Sequence, residues 1–193
     1  MERKKIQVLI VEDDPDFCFL IQETIREAGM KVVGTAETAG LALKLAREKN
    51  PDVVLMDLCL TDTRMDGIEA GKAIRLQTDA KVIILTSYED PGVVREACCR
   101  SFASGYVFKS QYALLEETVR NTAEGHTPQE YLIASLILSE LSPAERSVLE
   151  LMLGRDLKLQ SSPKTISNQK SHLLKKLGLT SRDEVCHLFQ GLI

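Results

Sequence analysis

The sequence predicts an α/β fold: a five-stranded parallel, doubly wound domain followed by a small all-helical domain. Three observations carry this. Short apolar runs alternate with segments of helical spacing five times before residue 125. The run from Lys81 to Leu85 is nearly all apolar, as a strand covered by helices on both faces should be. Beyond residue 140 the strands stop, and capped helical segments follow one another.

The elements follow in order. Residues 6–11 read as the first strand. Asp16 to Glu27 carries an apolar stripe of Phe17, Leu20, Ile21 and Ile25 at helical spacing, and Gly29 closes it. Lys31 to Ala36 is the second strand, and Thr38 to Lys49 a helix with Ala39, Leu41, Ala42, Leu45 and Ala46. Pro51-Asp52 opens the third strand, 53–56. Gly67 to Arg75 is a helix, Lys81 to Leu85 a strand, Pro91 to Ser101 a helix, Tyr106 to Phe108 a short strand and Gln111 to Glu124 a helix.

Residues 126–140 read as a linker or linking helix. Ser142-Pro143-Ala144-Glu145 supplies a cap, a first-turn proline and a third-position acid for a helix that Gly154 ends. Ser162 to Leu177 is the next helix, stopped by Gly178, and Ser181 with Glu184 caps the last, to Phe189. The domains expected are 1–125, the linker 126–140, and 141–193.

Bulk properties are those of an ordinary water-soluble protein, 44% apolar and 27% charged, with no Trp. The net charge of −4 is uneven: residues 1–125 carry −5 and residues 141–193 carry +3. A mildly basic tail is compatible with nucleic acid without requiring it. The 5 cysteines have no paired metal spacing and read as reduced structural thiols of a cytoplasmic protein. No apolar segment is long enough for a signal peptide or membrane span, which predicts no membrane association.

The chemistry is expected where the strands end. In an open α/β sheet, functional groups collect at the carboxyl ends of strands. Glu12 and Asp13, Asp57, Thr86 with Ser87, and Lys109 all fall there. Each alone would be a loop residue or a helix cap; together they describe a metal-assisted phosphoryl-acceptor site. Crowded carboxylates repel, and a hard divalent cation relieves the repulsion. Mg2+ is the expected cofactor, since it takes oxygen ligands and bridges to phosphate. Asp13 and Asp57 are the first-choice ligands, Glu12 acts directly or through water, and the backbone carbonyl of Cys59 is a further candidate. Asp57 is the expected nucleophile, Lys109 neutralises growing charge and Thr86 donates its hydroxyl to the bound group. Asp14 is either a further acid of the shell or a solvated one.

Residues 5–124 resemble a response-regulator receiver domain. The resemblance rests on Val11-Glu12-Asp13-Asp14, Met56-Asp57-Leu58, Met65-Asp66-Gly67-Ile68-Glu69-Ala70, Leu85-Thr86-Ser87 and Gly105-Tyr106-Val107-Phe108-Lys109. It implies phosphorylation of Asp57 by a histidine kinase or small phosphoryl donor, with self-catalysed dephosphorylation as a timer. It also implies that Thr86 moves toward the phosphoryl group, Tyr106 swings inward, and the face around the fourth helix, fifth strand and fifth helix changes. Homodimer formation on phosphorylation is the implied consequence. Two features depart from the family: the loop after Asp57, which includes Arg64, is about two residues longer than usual and lacks its proline. Ser110 replaces the proline that often follows the lysine, so a cis peptide is not expected there.

The C-terminal segment resembles a LuxR-type helix-turn-helix output domain, which places the whole in a NarL/FixJ-like class. The matching pieces are Leu141 to Leu151, Ser162-Pro163-Lys164-Thr165-Ile166-Ser167-Asn168, His172 to Leu179, and Arg182-Asp183-Glu184-Val185. The resemblance implies a recognition helix in the DNA major groove. Lys164, Thr165 and Lys175 suit phosphates; Ser167, Asn168 and Ser171 suit base edges; Lys170 is a further candidate contact. The gap before this helix, Gly154 to Ser161, is about six residues too short for the family's scaffold helix. Leu157 and Leu159 alternate there as a short extended piece or a single turn would. Gln169 stands where a phosphate-facing histidine is usual. The leading expectation is transcriptional control through duplex DNA. The alternative is a signalling adaptor whose helices bind protein. An independent phosphatase fits less well, because the second segment holds no hydrolase site.

Overall fold

The computed structural model describes residues 4–60, 66–157 and 162–193. The chain divides into two compact units, Met1–Ile133 and Ala134–Ile193.

The first unit contains the expected sheet. Strands β1 (Gln7–Val11), β2 (Lys31–Ala36), β3 (Val53–Met56), β4 (Lys81–Thr86) and β5 (Gly105–Phe108) are parallel, in the order β2-β1-β3-β4-β5. Helices α1 (Pro15–Glu27), α2 (Ala39–Lys49), α3 (Asp66–Gln77), α4 (Pro91–Ser101) and α5 (Leu115–Glu124) connect and follow them. The two-residue period of the strands divides the core. Val8, Ile10, Val53, Leu55, Ile83, Leu85 and Val107 pack with Ile21 and Ile25 of α1 and Leu115 and Val119 of α5. Leu9, Val54 and Ile84 alternate with them and are equally buried. Since β1 lies between β2 and β3, the strand order reverses there. The crevice at a reversal point opens outside the carboxyl ends of the flanking strands.

One expected element differs. The helix read as 111–124 begins instead with a 3-10 helix, Lys109–Leu114, before α5. Gln111 leaves helical geometry at φ −109 and ψ 34. The cause is tertiary: Tyr112 is drawn onto α1, donating to Leu20 O at 2.9 Å and to Thr24 Oγ1 at 2.8 Å. Its ring meets the Phe17 ring edge-on at 5.6 Å. The segment 126–140 holds helix α6, Pro128–Ser139, and the division between the units falls inside it.

The second unit holds α7 (Pro143–Met152), α8 (Pro163–Leu177) and α9 (Arg182–Phe189). Capping boxes at Ser142/Glu145 and Ser181/Glu184 start α7 and α9, and Ser162 caps α8. Gly178, at φ 64, ends α8 in the left-handed conformation that favours glycine. Val148, Leu149, Met152, Leu173, Val185, Leu188 and Phe189 form the core. Lys176 bridges α8 to Glu145 at 3.0 Å, and Arg182 Nε donates to Met152 O at 2.6 Å. Among the described residues no helix lies between α7 and α8: Leu153 and Gly154 form a turn, and 155–157 are irregular chain. The expected alternation of Leu157 and Leu159 reaches residues outside those described.

Candidate functional site

The carboxyl ends of β1, β3 and β5 bring Glu12, Asp13, Asp57 and Lys109 together, with Thr86 at the end of β4. Strand register sets the spacing. Val11 pairs with Met56, and Asp57 N donates to Val11 O at 3.0 Å, so the next residues, Glu12 and Asp57, lie side by side. Carboxylate oxygens of Glu12, Asp13 and Asp57 all lie within 4.8 Å of one another. Glu12 and Asp57 are buried and Asp13 is exposed, which leaves the cluster one wet side.

Lys109 reaches into this cluster from β5. Its Nζ lies 2.9 Å from Asp57 Oδ2 and 2.8 Å from Glu12 Oε2. It also stands 4.6 Å from the centre of the Phe17 ring, a cation–π contact from α1. Burial works against the ammonium, but the hydrogen bonds to Asp57 and Glu12 outweigh it, and the Lys109 pKa is raised. Burial is the largest influence on Glu12 too; with the Asp57 charge beside it, burial raises the carboxyl pKa despite Lys109. One lysine thus compensates two buried acids incompletely. The remaining negative charge and free oxygen lone pairs suit a hard cation.

The other Asp57 oxygen, Oδ1, accepts from Leu58 N at 2.6 Å. Thr86 is buried at the end of β4, and its Oγ1 accepts from Tyr88 N at 3.4 Å. Tyr106 is half-buried on β5, its hydroxyl donates to Tyr88 O at 2.8 Å, and burial raises its pKa. The Cys59 thiol lies 3.7 Å from Tyr88 OH. Asp14 has a role the sequence did not suggest: its Oδ1 caps α1, accepting from Asp16 N at 2.9 Å and Phe17 N at 3.1 Å. Arg64 lies outside the described residues. Among the described residues there is no cis peptide, as the serine after Lys109 led us to expect.

The sequence reading missed two supports of this pocket. Phe17 had been placed only on an apolar stripe, because nothing local reveals that Lys109 lies over its ring. Gly67 was only part of a motif. Its amide donates to Leu58 O at 3.1 Å, and a Cβ there would collide with the Asp57 carbonyl oxygen and stand 2.8 Å from Leu58 Cα. Only glycine permits that approach beside the acceptor.

In the second unit, α8 carries all seven residues singled out for nucleic acid. Lys164, Ser167, Asn168, Ser171 and Lys175 follow helical spacing and share one exposed face. Thr165 is exposed beside it, where its backbone amide and hydroxyl are engaged by Ser162 Oγ at 3.2 and 2.9 Å. Lys170 is half-buried, toward the flank that carries Leu173 to the core. No helix among the described residues is long and apolar enough to cross a membrane.

The response regulator receiver domain matches residues 8–120. Among curated proteins, response regulator GacA of Pseudomonas aeruginosa is 33% identical, over 95% of this chain and 94% of its own length. Transcriptional regulatory protein LiaR of Bacillus subtilis is 33% identical over 80% and 74%. Among solved structures, a LuxR-family two-component response regulator from Aurantimonas sp. SI85-9A1 has a TM-score of 0.59 at 33% identity, covering 71% of this chain and 98% of that one. The two-component response regulator RcsB, solved in a complex with DNA, has a TM-score of 0.58 at 25% identity over 98% and 100%. The relatives are regulators, not enzymes, and the chain belongs with them to the response regulator family, its receiver domain at residues 8–120.

Proposed function

We propose that this response regulator takes a phosphoryl group onto Asp57 from a histidine kinase and controls transcription by binding duplex DNA through α8. The observation that carries the reading is the convergence of Glu12, Asp13, Asp57 and Lys109 on one pocket with an open side. An Asp57 carboxylate oxygen attacks the phosphorus of a phosphohistidine. A P–O bond forms as the P–N bond breaks, and the electron pair leaves with the imidazole nitrogen. Lys109 holds an equatorial phosphoryl oxygen, and Thr86 turns its hydroxyl to donate to another. Mg2+ held by Asp13, Asp57 and Glu12, with the Cys59 carbonyl as a further ligand, would neutralise charge on the transferring group. Slow hydrolysis of the acyl phosphate resets the protein.

The receiver is assigned to residues 1–125, the linking segment to 126–140 and the output domain to 141–193. Lys164, Thr165 and Lys175 meet phosphates, Ser167, Asn168 and Ser171 meet base edges, and Lys170 is a further contact at the flank. The shared exposed face of α8 supports this assignment. Homodimerisation on phosphorylation would present two such helices to paired half-sites, in the cytoplasm, where a histidine kinase phosphorylates its regulator. The test is selection from a random duplex DNA library, with and without beryllofluoride and magnesium as a phosphoryl mimic. Enrichment of a paired motif, strengthened by the mimic, is expected. No enrichment from folded, mimic-bound protein would replace DNA binding with the protein-adaptor reading.

A further inference from the structure

Helix α6 is fastened to the sheet of the first unit by its first turn. β5 ends the strand order, so one of its sides has no neighbouring strand. There the side-chain amide of Gln129 stands in for a strand. Its Oε1 accepts from Tyr106 N at 3.0 Å, and its Nε2 faces Tyr106 O at 3.5 Å. The adjacent residue, Glu130, is buried among Lys81 at 2.9 Å, Ser104 at 2.8 Å and His126 at 2.8 Å. Thr127 Oγ1 donates to Ser104 O at 3.3 Å.

Tyr106 is also tied to the loop after β4. Its hydroxyl donates to Tyr88 O, and Tyr88 N donates to Thr86 Oγ1. Three hydrogen bonds, joined through the covalent frames of Tyr88 and Tyr106, therefore link Thr86 to Gln129. Each step crosses between segments far apart in sequence, apart from the link from Thr86 to Tyr88 in one loop.

We infer that Gln129 is a positioning residue that couples the occupancy of the acceptor pocket to the first turn of α6. The inference rests on the phosphoryl-acceptor reading of Asp57. When Thr86 turns its hydroxyl to a phosphoryl oxygen, the acceptor of Tyr88 N moves, and Tyr88 O is the anchor of the Tyr106 hydroxyl. Where the Tyr106 backbone follows its side chain, the geometry changes at its N–H and C=O, which are the groups Gln129 grips. The grip is on backbone atoms, so it reports the position of the strand irrespective of side-chain packing. Gln129 is itself exposed, so replacing it leaves the core intact.

The test is residue-resolved amide hydrogen exchange on the full chain, wild type and Gln129→Ala, with and without beryllofluoride and magnesium. Fluorine NMR of bound beryllofluoride reports occupancy of the pocket separately. The expected result is that the mimic changes exchange of the α6 amides in residues 130–133 by at least about fivefold in wild type, within the usual range of intersite coupling. In Gln129→Ala the mimic binds equally well, but the change is lost. Binding without any change in α6, or a change that survives in Gln129→Ala, overturns the inference. Failure of wild type to bind the mimic would remove the acceptor reading and the inference together.

Discussion

Removing the Glu130 carboxylate should unfold the first unit more easily than its place in a linking segment suggests. Glu130 is 2% exposed and accepts short bonds from Lys81 and Ser104, with His126 Nδ1 at 2.8 Å and Arg75 Nη2 at 3.7 Å. Glu130→Ala leaves the buried Arg75 and the half-buried Lys81 without their shared anion. Breaking a buried pair from one side costs about 3–5 kcal/mol. The lower end applies, because Lys81 also donates to Gly125 O at 2.6 Å and Arg75 to Phe102 O at 3.1 Å. With a urea dependence of about 2 kcal/mol per molar, a loss of about 3 kcal/mol lowers the midpoint by about 1.5 M. All 4 tyrosines lie in the first unit and the chain has no Trp, so tyrosine fluorescence follows this transition. The effect has a pH signature. Burial opposes the charged form, but Lys81, His126 and Ser104 outweigh it and hold the Glu130 pKa below its ordinary value. A lowered folded-state pKa means the stabilisation is complete above the unfolded carboxyl's pKa. It is lost as pH falls through the folded one. Wild type and variant should therefore converge in acid. A midpoint change within about 0.3 M at neutral pH, as for an exposed site, would refute the reasoning.

Other perturbations separate parts of the account. Lys109→Ala should slow phosphoryl acceptance about 100-fold, the usual loss when one charge-stabilising donor is removed. It should also tighten Mg2+ binding, because it removes a cation bound to both acids; stopped-flow labelling and titration calorimetry read the two effects. Gly67→Ala should abolish beryllofluoride binding by pushing on the Asp57 backbone, which fluorine NMR detects. Replacing both Lys164 and Lys175 by Ala should reduce the salt slope of DNA binding by nearly two, about 0.9 per phosphate contact, in a fluorescence anisotropy titration. In the second unit, the backbone and side chain of Ser142 and the Lys176 ammonium hold the Glu145 carboxyl down at about 2. NMR titration should find that pKa, and Ser142→Ala should raise it.

What could be read from the sequence was what is periodic or local. Five apolar runs gave the strands, and the residues just after them gave Glu12, Asp13, Asp57, Thr86 and Lys109. Parallel pairing brings strand ends together without further information, so Glu12, Asp13, Asp57 and Lys109 meet, with Thr86 at the neighbouring strand end. Caps were legible because Ser142 and Ser181 act within four residues of themselves. What escaped depends on distant partners. Tyr112 bends the start of α5 into a 3-10 turn because Leu20 and Thr24 lie on another helix. Glu130 lies in a stretch read only as a linker or linking helix, and its partner Lys81 is 49 residues away. Asp14 read as either a further shell acid or a solvated one, and the cap it supplies to the adjoining helix was not foreseen.

The most direct test of the central claim is to supply a small phosphoryl donor and magnesium to the purified chain, then map any acid-labile label by peptide mass spectrometry. The account predicts one phosphoryl group per chain, on Asp57, and none on Asp57→Asn. A stoichiometric label that persists in Asp57→Asn, or none in folded wild type, would contradict it.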